Sequence, residues 1–460
     1  MTNGLRYITL FIAVFFSANT FGQGAFNLSK EKSSKIKFKL VNNIIVIPVE
    51  LNGAELSFVL DTGVSKPILF NLVNSDSLQI KNTETVYLRG LGGGGSIRGL
   101  RSRRNILKIG EAICVNQDVS VVFDASINFT PRLGIPVHGI IGYDVFKDFV
   151  VEINYSSKYI RLYKPETFKY KTSSKWETIP ISLYNRKPYL NAEVEIESEI
   201  KHVKLLIDSG GSDALWLFED ENLGIMPPGE LYFDDFLGKG LSGSVYGKRS
   251  KANRFKLNSF NIDNVNVAFP DSLSLSTARN YKDRNGSISG YLLKRFNIYM
   301  DYAGKKMQLK KNTNFKEPFY YNNSGITLEQ RGTRIVKEQD RKNSFDIYRS
   351  QNNDGALGVD FALSYIYTLK PAFQVVELRE SSNAKAAGVK LGDIIVSINN
   401  KKTSQMSLQE VNAVFHDKEG KTIRIRVERD EEEIYIQFKL DNVFKKKSLP
   451  KEDSVVISKS

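Results

Sequence analysis

The chain has 460 residues, 41% hydrophobic and 25% charged, with 28 Phe and 21 Tyr. That is enough apolar side chain for roughly two to four packed domains and argues against low complexity or global disorder. Lys and Arg outnumber Asp and Glu by 65 − 51 = 14, a basic balance that favours anionic surfaces of any kind and says nothing about fold. A lone Cys114 excludes an internal disulfide and a cysteine-built metal site, and His138, His202 and His416 lie far apart, so the chemistry falls to carboxylates, hydroxyls and backbone, with no metal or cofactor called for.

Residues 1–24 read as an export signal: Arg6 near the free amine, an apolar run from Tyr7 to Phe16, then small residues from Ser17 to Gln23. A run of about ten apolar residues is too short for the ~20 of a bilayer span, and no later segment is long enough. The expectation is a cleaved signal, with an uncleaved anchor as the alternative, and a periplasmic or secreted location for a protein with no membrane span.

Short alternating runs follow, such as Ile44 to Leu51 and Val119 to Phe123, punctuated by Gly, Asn and Asp, which is the pattern of an all-β region. Within it one text occurs twice. Leu56 to Leu60 runs into Asp61-Thr62-Gly63-Val64-Ser65, and Val203 to Ile207 runs into Asp208-Ser209-Gly210-Gly211-Ser212. A Gly-rich stretch beginning at Leu91 and including Gly93 and Gly94 starts 30 residues after Asp61 (91 − 61). Its counterpart from Leu237, including Gly240, starts 29 after Asp208 (237 − 208). Gly142 and Gly290 then follow the two aspartates by 81 (142 − 61) and 82 (290 − 208) residues, and each half closes on a pair of strands, at 151–162 and 298–309. A repeat of this kind marks a duplicated β unit.

These paired Asp-Thr/Ser-Gly motifs make the chain resemble the aspartic proteases, specifically retropepsin-like bacterial proteins that carry a PDZ domain. The resemblance implies a mainly β fold: two β-barrel halves, 25–170 and 171–318, forming a single-chain pseudo-dimer and hence a monomer, with Asp61 and Asp208 facing each other as the catalytic pair. Thr62 and Ser209 would lock the two loops together beneath it, with Gly63 and Gly210 as support. The chemistry suits the residues: two close carboxylates cannot both ionise, so one serves as base towards water and the other as acid towards the scissile carbonyl of a polypeptide substrate. Val64 and Gly211 offer no hydroxyl after the glycine, which fits the retroviral pattern better than the pepsin one. Ser65 and Ser212 either bond the substrate main chain or only their own turns.

The Gly-rich stretches lack the Lys-Ser/Thr of a phosphate loop. A linker is one reading; a mobile hairpin flap that brings Gly93, Gly94 and Gly240 to the substrate is the better one. Arg98, Arg101, Arg103 and Arg104 near the first tip suit either a polyanion or, preferably, a solvated basic face, and no specific nucleic-acid partner is expected.

From residue 319 the character changes. Ser382 to Asn399 resembles the most recognisable stretch of a PDZ domain, expected over 319–442 with an insertion near 335–368. Ser407-Leu408-Gln409-Glu410 reads as a capping box opening the groove helix. The resemblance implies a groove that accepts a C-terminal peptide as an added strand, with Gly325 and Ile326 standing in for the missing Gly-Leu-Gly-Phe loop and Val411 and Phe415 on the helix's apolar face. The Lys-rich tail, 443–460, reads as disordered. The function expected is an exported aspartic endopeptidase whose PDZ domain binds or presents peptide; the alternative is a catalytically inactive peptide-binding scaffold of the envelope.

Overall fold

A computed structural model describes residues 24–28, 32–71, 78–124, 126–229, 231–340, 345–351 and 357–444. The expected export signal, apart from Gly24, and the tail from 445 onward lie outside the described residues. No helix among the described residues is long and apolar enough to cross a membrane.

The chain is mostly β, and its first two large sheets share one plan. In the first, strand Ala54–Leu60 lies antiparallel to Ile44–Leu51 and parallel to Gly139–Ile141, which is antiparallel to Ile68–Leu69, itself parallel to Ala112–Val121. In the second, Glu199–Asp208 lies antiparallel to Lys187–Ile196 and parallel to Gly286–Ser289, which is antiparallel to Leu215–Leu217, itself parallel to Phe260–Pro270. One long strand closes each ring, Ile97–Ile109 in the first and Gly243–Leu257 in the second, by pairing with both flanking strands. Even the left-handed turns correspond: Asn42 and Asn43 enter the first half (φ 48° and 65°), Asn185 and Arg186 the second (φ 48° and 67°). Two consecutive positive φ values make the tight hairpin turn whose twist matches the strands it joins.

Alternation places the core. Phe58 and Leu60 point into a hydrophobic cluster that runs through both halves, while Val59 points to a smaller cluster on the opposite face of the first sheet. The halves are also joined by a six-stranded sheet to which both contribute: Val150–Asn154 pairs antiparallel with Phe296–Asp301, bringing Val151 opposite Met300 and Ile153 opposite Ile298.

A separate core serves the carboxyl-terminal sheet, whose order places Ile326–Gln339 at the edge, then Tyr365–Leu378, Ile394–Ile398, Thr422–Arg429 and Glu432–Lys439. The extra residues near 335–368 do not interrupt the first two strands but prolong them. Pairing continues from Ile326 opposite Leu378 to Gln339 opposite Tyr365, and a further hairpin, Phe345–Gln351 with Leu357–Leu363, follows. Helix Leu408–Phe415 begins with a complete capping box between Ser407 and Glu410.

Candidate active site

Asp61 directly follows strand Ala54–Leu60 and Asp208 ends strand Glu199–Asp208, and after each aspartate the chain turns so that its loop meets that of the other half. Thr62 and Ser209, both 1% exposed, interlock there. The Thr62 N–H donates to Ser209 Oγ and the Ser209 N–H to Thr62 Oγ1, each at 3.0 Å. The Thr62 hydroxyl then donates to the Ile207 carbonyl (2.6 Å) and the Ser209 hydroxyl to that of Leu60 (2.7 Å). Four buried bonds thus tie the loops in a reciprocal lock, with every hydroxyl and amide in it satisfied.

Above the lock the carboxyl groups meet. The Gly63 N–H donates to Asp61 Oδ1 at 2.6 Å and the Gly210 N–H to Asp208 Oδ1 at 3.1 Å, so each glycine amide serves the aspartate of its own loop. Closeness across the pair is what needs glycine: a Cβ on Gly210 would lie 2.3 Å from Asp61 Cγ, and one on Gly63 3.5 Å from Asp208 Oδ1. Burial, and then the charge of Asp208, push the Asp61 carboxyl up to about 7, against the pull of the Gly63 amide and the Lys187 ammonium.

The strand crossing behind each aspartate-bearing loop corrects one correspondence. Ile141 lies beside Leu60 and Ile288 beside Ile207, so the counterpart of Gly142 is Ser289, not Gly290, and both follow their aspartate by 81 residues (142 − 61, 289 − 208). Both positions are tight. A Cβ on Gly142 would lie 1.9 Å from the Asp61 carbonyl oxygen and 2.8 Å from that of Val64, so the backbone of the loop itself requires glycine there. Gly211 faces Ser289, and a Cβ on Gly211 would lie 2.6 Å from the Ser289 hydroxyl.

Ser65 and Ser212 line the cleft but take part in contacts between the halves. Ser65 Oγ–H donates to the Asn185 carbonyl (2.9 Å), and Asn43 Nδ2 donates to the Ser212 carbonyl (2.9 Å). Both Gly-rich stretches are hairpin tips, between Thr83–Leu88 and Ile97–Ile109 and between Phe233–Gly240 and Gly243–Leu257. They meet each other over the cleft: Ser242 N–H donates to Leu91 O (2.9 Å) and Gly94 N–H to Ser242 O (2.7 Å). Gly240 lines the cavity beneath, together with Leu91 and Leu241, whereas Gly93 and Gly94 are exposed on the outer side of that junction. Arg101 and Arg103 pair with Glu84, and Arg101 with Asp118, along the first hairpin, which fits a solvated basic face.

The cavity around the aspartates, about 1040 Å³, does not stop at the two halves. Gly325 and Ile326 also line it, with Gln409, Asn412 and Ala413 of helix Leu408–Phe415 and with His416, which follows that helix. Val411 and Phe415, expected in the groove, are instead fully buried in the carboxyl-terminal core with Leu408. At helical spacing residues 408, 411 and 415 share one face, and the sheet takes it. Amides of the loop that carries Gly325 and Ile326 are engaged internally: Asn323 N–H on Phe415 O, Ser324 N–H on Asn322 Oδ1 and Ile326 N–H on Ser324 Oγ. The other end of the groove is closed by the first half. Its short helix Thr130–Leu133 packs on strand Ile326–Gln339, Arg132 pairs with Glu329 at 2.7 Å, and Gly134 lies against Leu408.

Among the described residues no cluster of His, Cys, Asp and Glu is arranged to hold a metal ion. Sequence reasoning passed over Lys187 and Arg284, which line the cavity with the aspartates. No curated protein matches the chain. Residues 47–145 match the family model described as aspartyl protease and residues 355–440 the one described as PDZ domain, so the chain joins an aspartyl protease domain to a carboxyl-terminal, peptide-binding PDZ domain.

Proposed function

We propose that the protein is an exported aspartic endopeptidase that acts as a single-chain pseudo-dimer, with Asp61 and Asp208 as its catalytic pair and the PDZ domain presenting peptide to them. The observation that carries this reading is the closeness of the two carboxyl groups above the reciprocal Thr62–Ser209 lock, with Gly210 so near Asp61 that a single Cβ would collide with it. Continuity of the cavity from Gly325 and Ile326 to the aspartates supports the presenting role.

In this mechanism the pair shares one proton. The ionised carboxylate takes a proton from a water whose oxygen attacks the scissile carbonyl carbon, while the protonated carboxyl gives its proton to the carbonyl oxygen. The resulting gem-diol collapses: one hydroxyl proton returns to a carboxylate, the C–N bond breaks, and the leaving nitrogen takes a proton from the other carboxyl. Water is consumed, no covalent enzyme intermediate forms, and the pair ends as it began. The hairpin tips, Leu91 and Leu241 inward, would exclude bulk water over the bound strand.

The test is cleavage of a mixed peptide library by purified residues 25–460 from about pH 3 to about pH 8, with and without a statine-type inhibitor. Inhibitor-sensitive cutting that disappears in Asp61→Asn and in Asp208→Asn is the expected result. Substantial activity in either variant would sink the shared-pair mechanism, and no cutting by the unaltered chain would favour a peptide-binding scaffold. Export is tested separately, by the amino-terminal residue and cell fraction of the protein made with its first 24 residues in place.

A further inference from the structure

The two halves are alike in backbone and unlike in charge next to the aspartates. In the second half the antiparallel register runs as far as Tyr189 opposite Leu206, and Lys187, two residues before Tyr189, lines the cavity with both aspartates. In the first half the register runs as far as Val46 opposite Val59, and the matching place, two residues before Val46, is held by Ile44, which lines the same cavity. A second exchange lies beside the crossing strands. Gly286 corresponds to Gly139, so Arg284 takes the place of Val137, which is fully buried among apolar side chains.

Arg284 is 8% exposed, with its guanidinium over the Phe218 ring at 5.1 Å and its Nε donating to the Gly286 carbonyl at 3.0 Å. Neither Arg284 nor Lys187 forms an ion pair with a carboxylate among the described residues; the carboxylates that act on Lys187 are Asp61 and Asp208, and the one that acts on Arg284 is Asp208, across the cavity that all four line. Burial holds both cations below their ordinary range, the sign of charges short of compensation. The two other acids lining this part of the cavity, Asp213 and Asp235, are already matched by two cations: Arg249 binds both, at 2.9 and 2.8 Å, and Arg379 pairs with Asp235 at 3.5 Å.

Charge balance then decides what the wall lacks. A catalytic pair that shares one proton carries one negative charge, and Lys187 with Arg284 carries two positive ones. A buried cation without a counter-ion is costly, so the site is short of one anion when empty. We propose that Lys187 and Arg284 form an anion-binding subsite on the second-half wall of the cleft, which takes the side-chain carboxylate of an Asp or Glu close to the scissile bond of the substrate. This rests on the endopeptidase reading and adds the substrate class: peptides acidic next to the cut. The first-half wall, with Ile44 and Val59, takes an apolar side chain instead.

The test uses peptides that differ only by Glu or Gln at each position flanking the cut, together with reduced-bond analogues of the same peptides that bind but cannot be cleaved. At one position kcat/KM for Glu should exceed that for Gln by about tenfold or more, as expected for a hydrogen bond between charged groups. The ratio should fall with added salt in the unaltered protein, collapse towards one in Lys187→Met, and be largely restored in Lys187→Arg. No Glu preference at any position, or a preference that survives Lys187→Met, overturns the proposal. If no peptide is cut, the endopeptidase reading fails by itself. The binding ratio of the uncleavable Glu and Gln analogues, with and without Lys187→Met, then decides the subsite alone.

Discussion

Replacing Gly210 by alanine puts a methyl carbon 2.3 Å from Asp61 Cγ and 2.4 Å from its Oδ2. Carbon atoms in contact settle near 3.5 Å, so the Asp61 carboxyl must retreat by about 1 Å. It cannot do so freely, because Gly63 N–H holds Oδ1 at 2.6 Å from the other side and the loop is pinned by the Thr62–Ser209 lock. A misplacement of about 1 Å at a reacting group costs on the order of 100-fold in rate, and overpacking of a tight site costs about 1–3 kcal/mol of stability. The matching change in the other half is the control. A Cβ on Gly63 would meet Asp61 Oδ1 at 3.0 Å and Asp208 Oδ1 at 3.5 Å, an overlap relieved by a few tenths of an ångström. Gly63→Ala is therefore expected to lose less than about tenfold in rate. The assay is kcat on one peptide for both variants, with urea midpoints to show that each is folded. If the two alanines are equally damaging, or Gly210→Ala keeps the rate of the unaltered protein, the carboxyl groups are not packed as described.

Two further outcomes follow from the same geometry. Thr62→Ala removes the acceptor of the Ser209 amide and leaves a buried donor unmet, so urea unfolding should show a loss of about 1–3 kcal/mol, while Thr62→Ser should recover most of it. The pH dependence of stability should bear the mark of Asp61. Its carboxyl is held near 7 in the folded chain against an ordinary 3.8, so folding favours its protonated form. That contribution is full below about pH 4 and is lost as pH rises through about 7, with a ceiling of about 4 kcal/mol. Asp61→Asn should flatten this part of the stability curve; an unchanged slope between those pH values would mean that the carboxyl is not buried beside a second charge.

What could be read ahead of the structure was whatever rests on local chemistry with few solutions. Asp-Thr/Ser-Gly after an apolar strand, repeated with matched downstream spacing, identified the loops, because a carboxylate pair needs small residues behind it. The hairpin tips were legible from glycine, and the capping box at Ser407 and Glu410 from its four-residue pattern. Errors arose where two faces or two registers compete. Residue identity matches Gly142 with Gly290, yet backbone register matches it with Ser289, whose side chain lies against Gly211. Val411 and Phe415 form an apolar helical stripe that serves core and groove equally well on paper; only the sheet behind them decides. Lys187, within the turn sequence Asn185-Arg186-Lys187-Pro188, reads as one more solvated cation until the fold brings it to the wall of the cavity that Asp61 and Asp208 line.

The shared six-stranded sheet bears on how far the two loops are free to differ. An active site built on a two-fold axis between identical subunits carries every wall residue twice, so a cation introduced on one side appears on the other as well. Here strand Val150–Asn154 is stitched to Phe296–Asp301 within one chain, and nothing obliges the halves to stay equal. One codon can place a lysine, Lys187, on the second-half wall of the cavity while its counterpart on the first-half wall stays isoleucine, Ile44. A cleft with two unlike walls can tell the direction of a bound peptide, a distinction that a symmetric site cannot make before the substrate arrives.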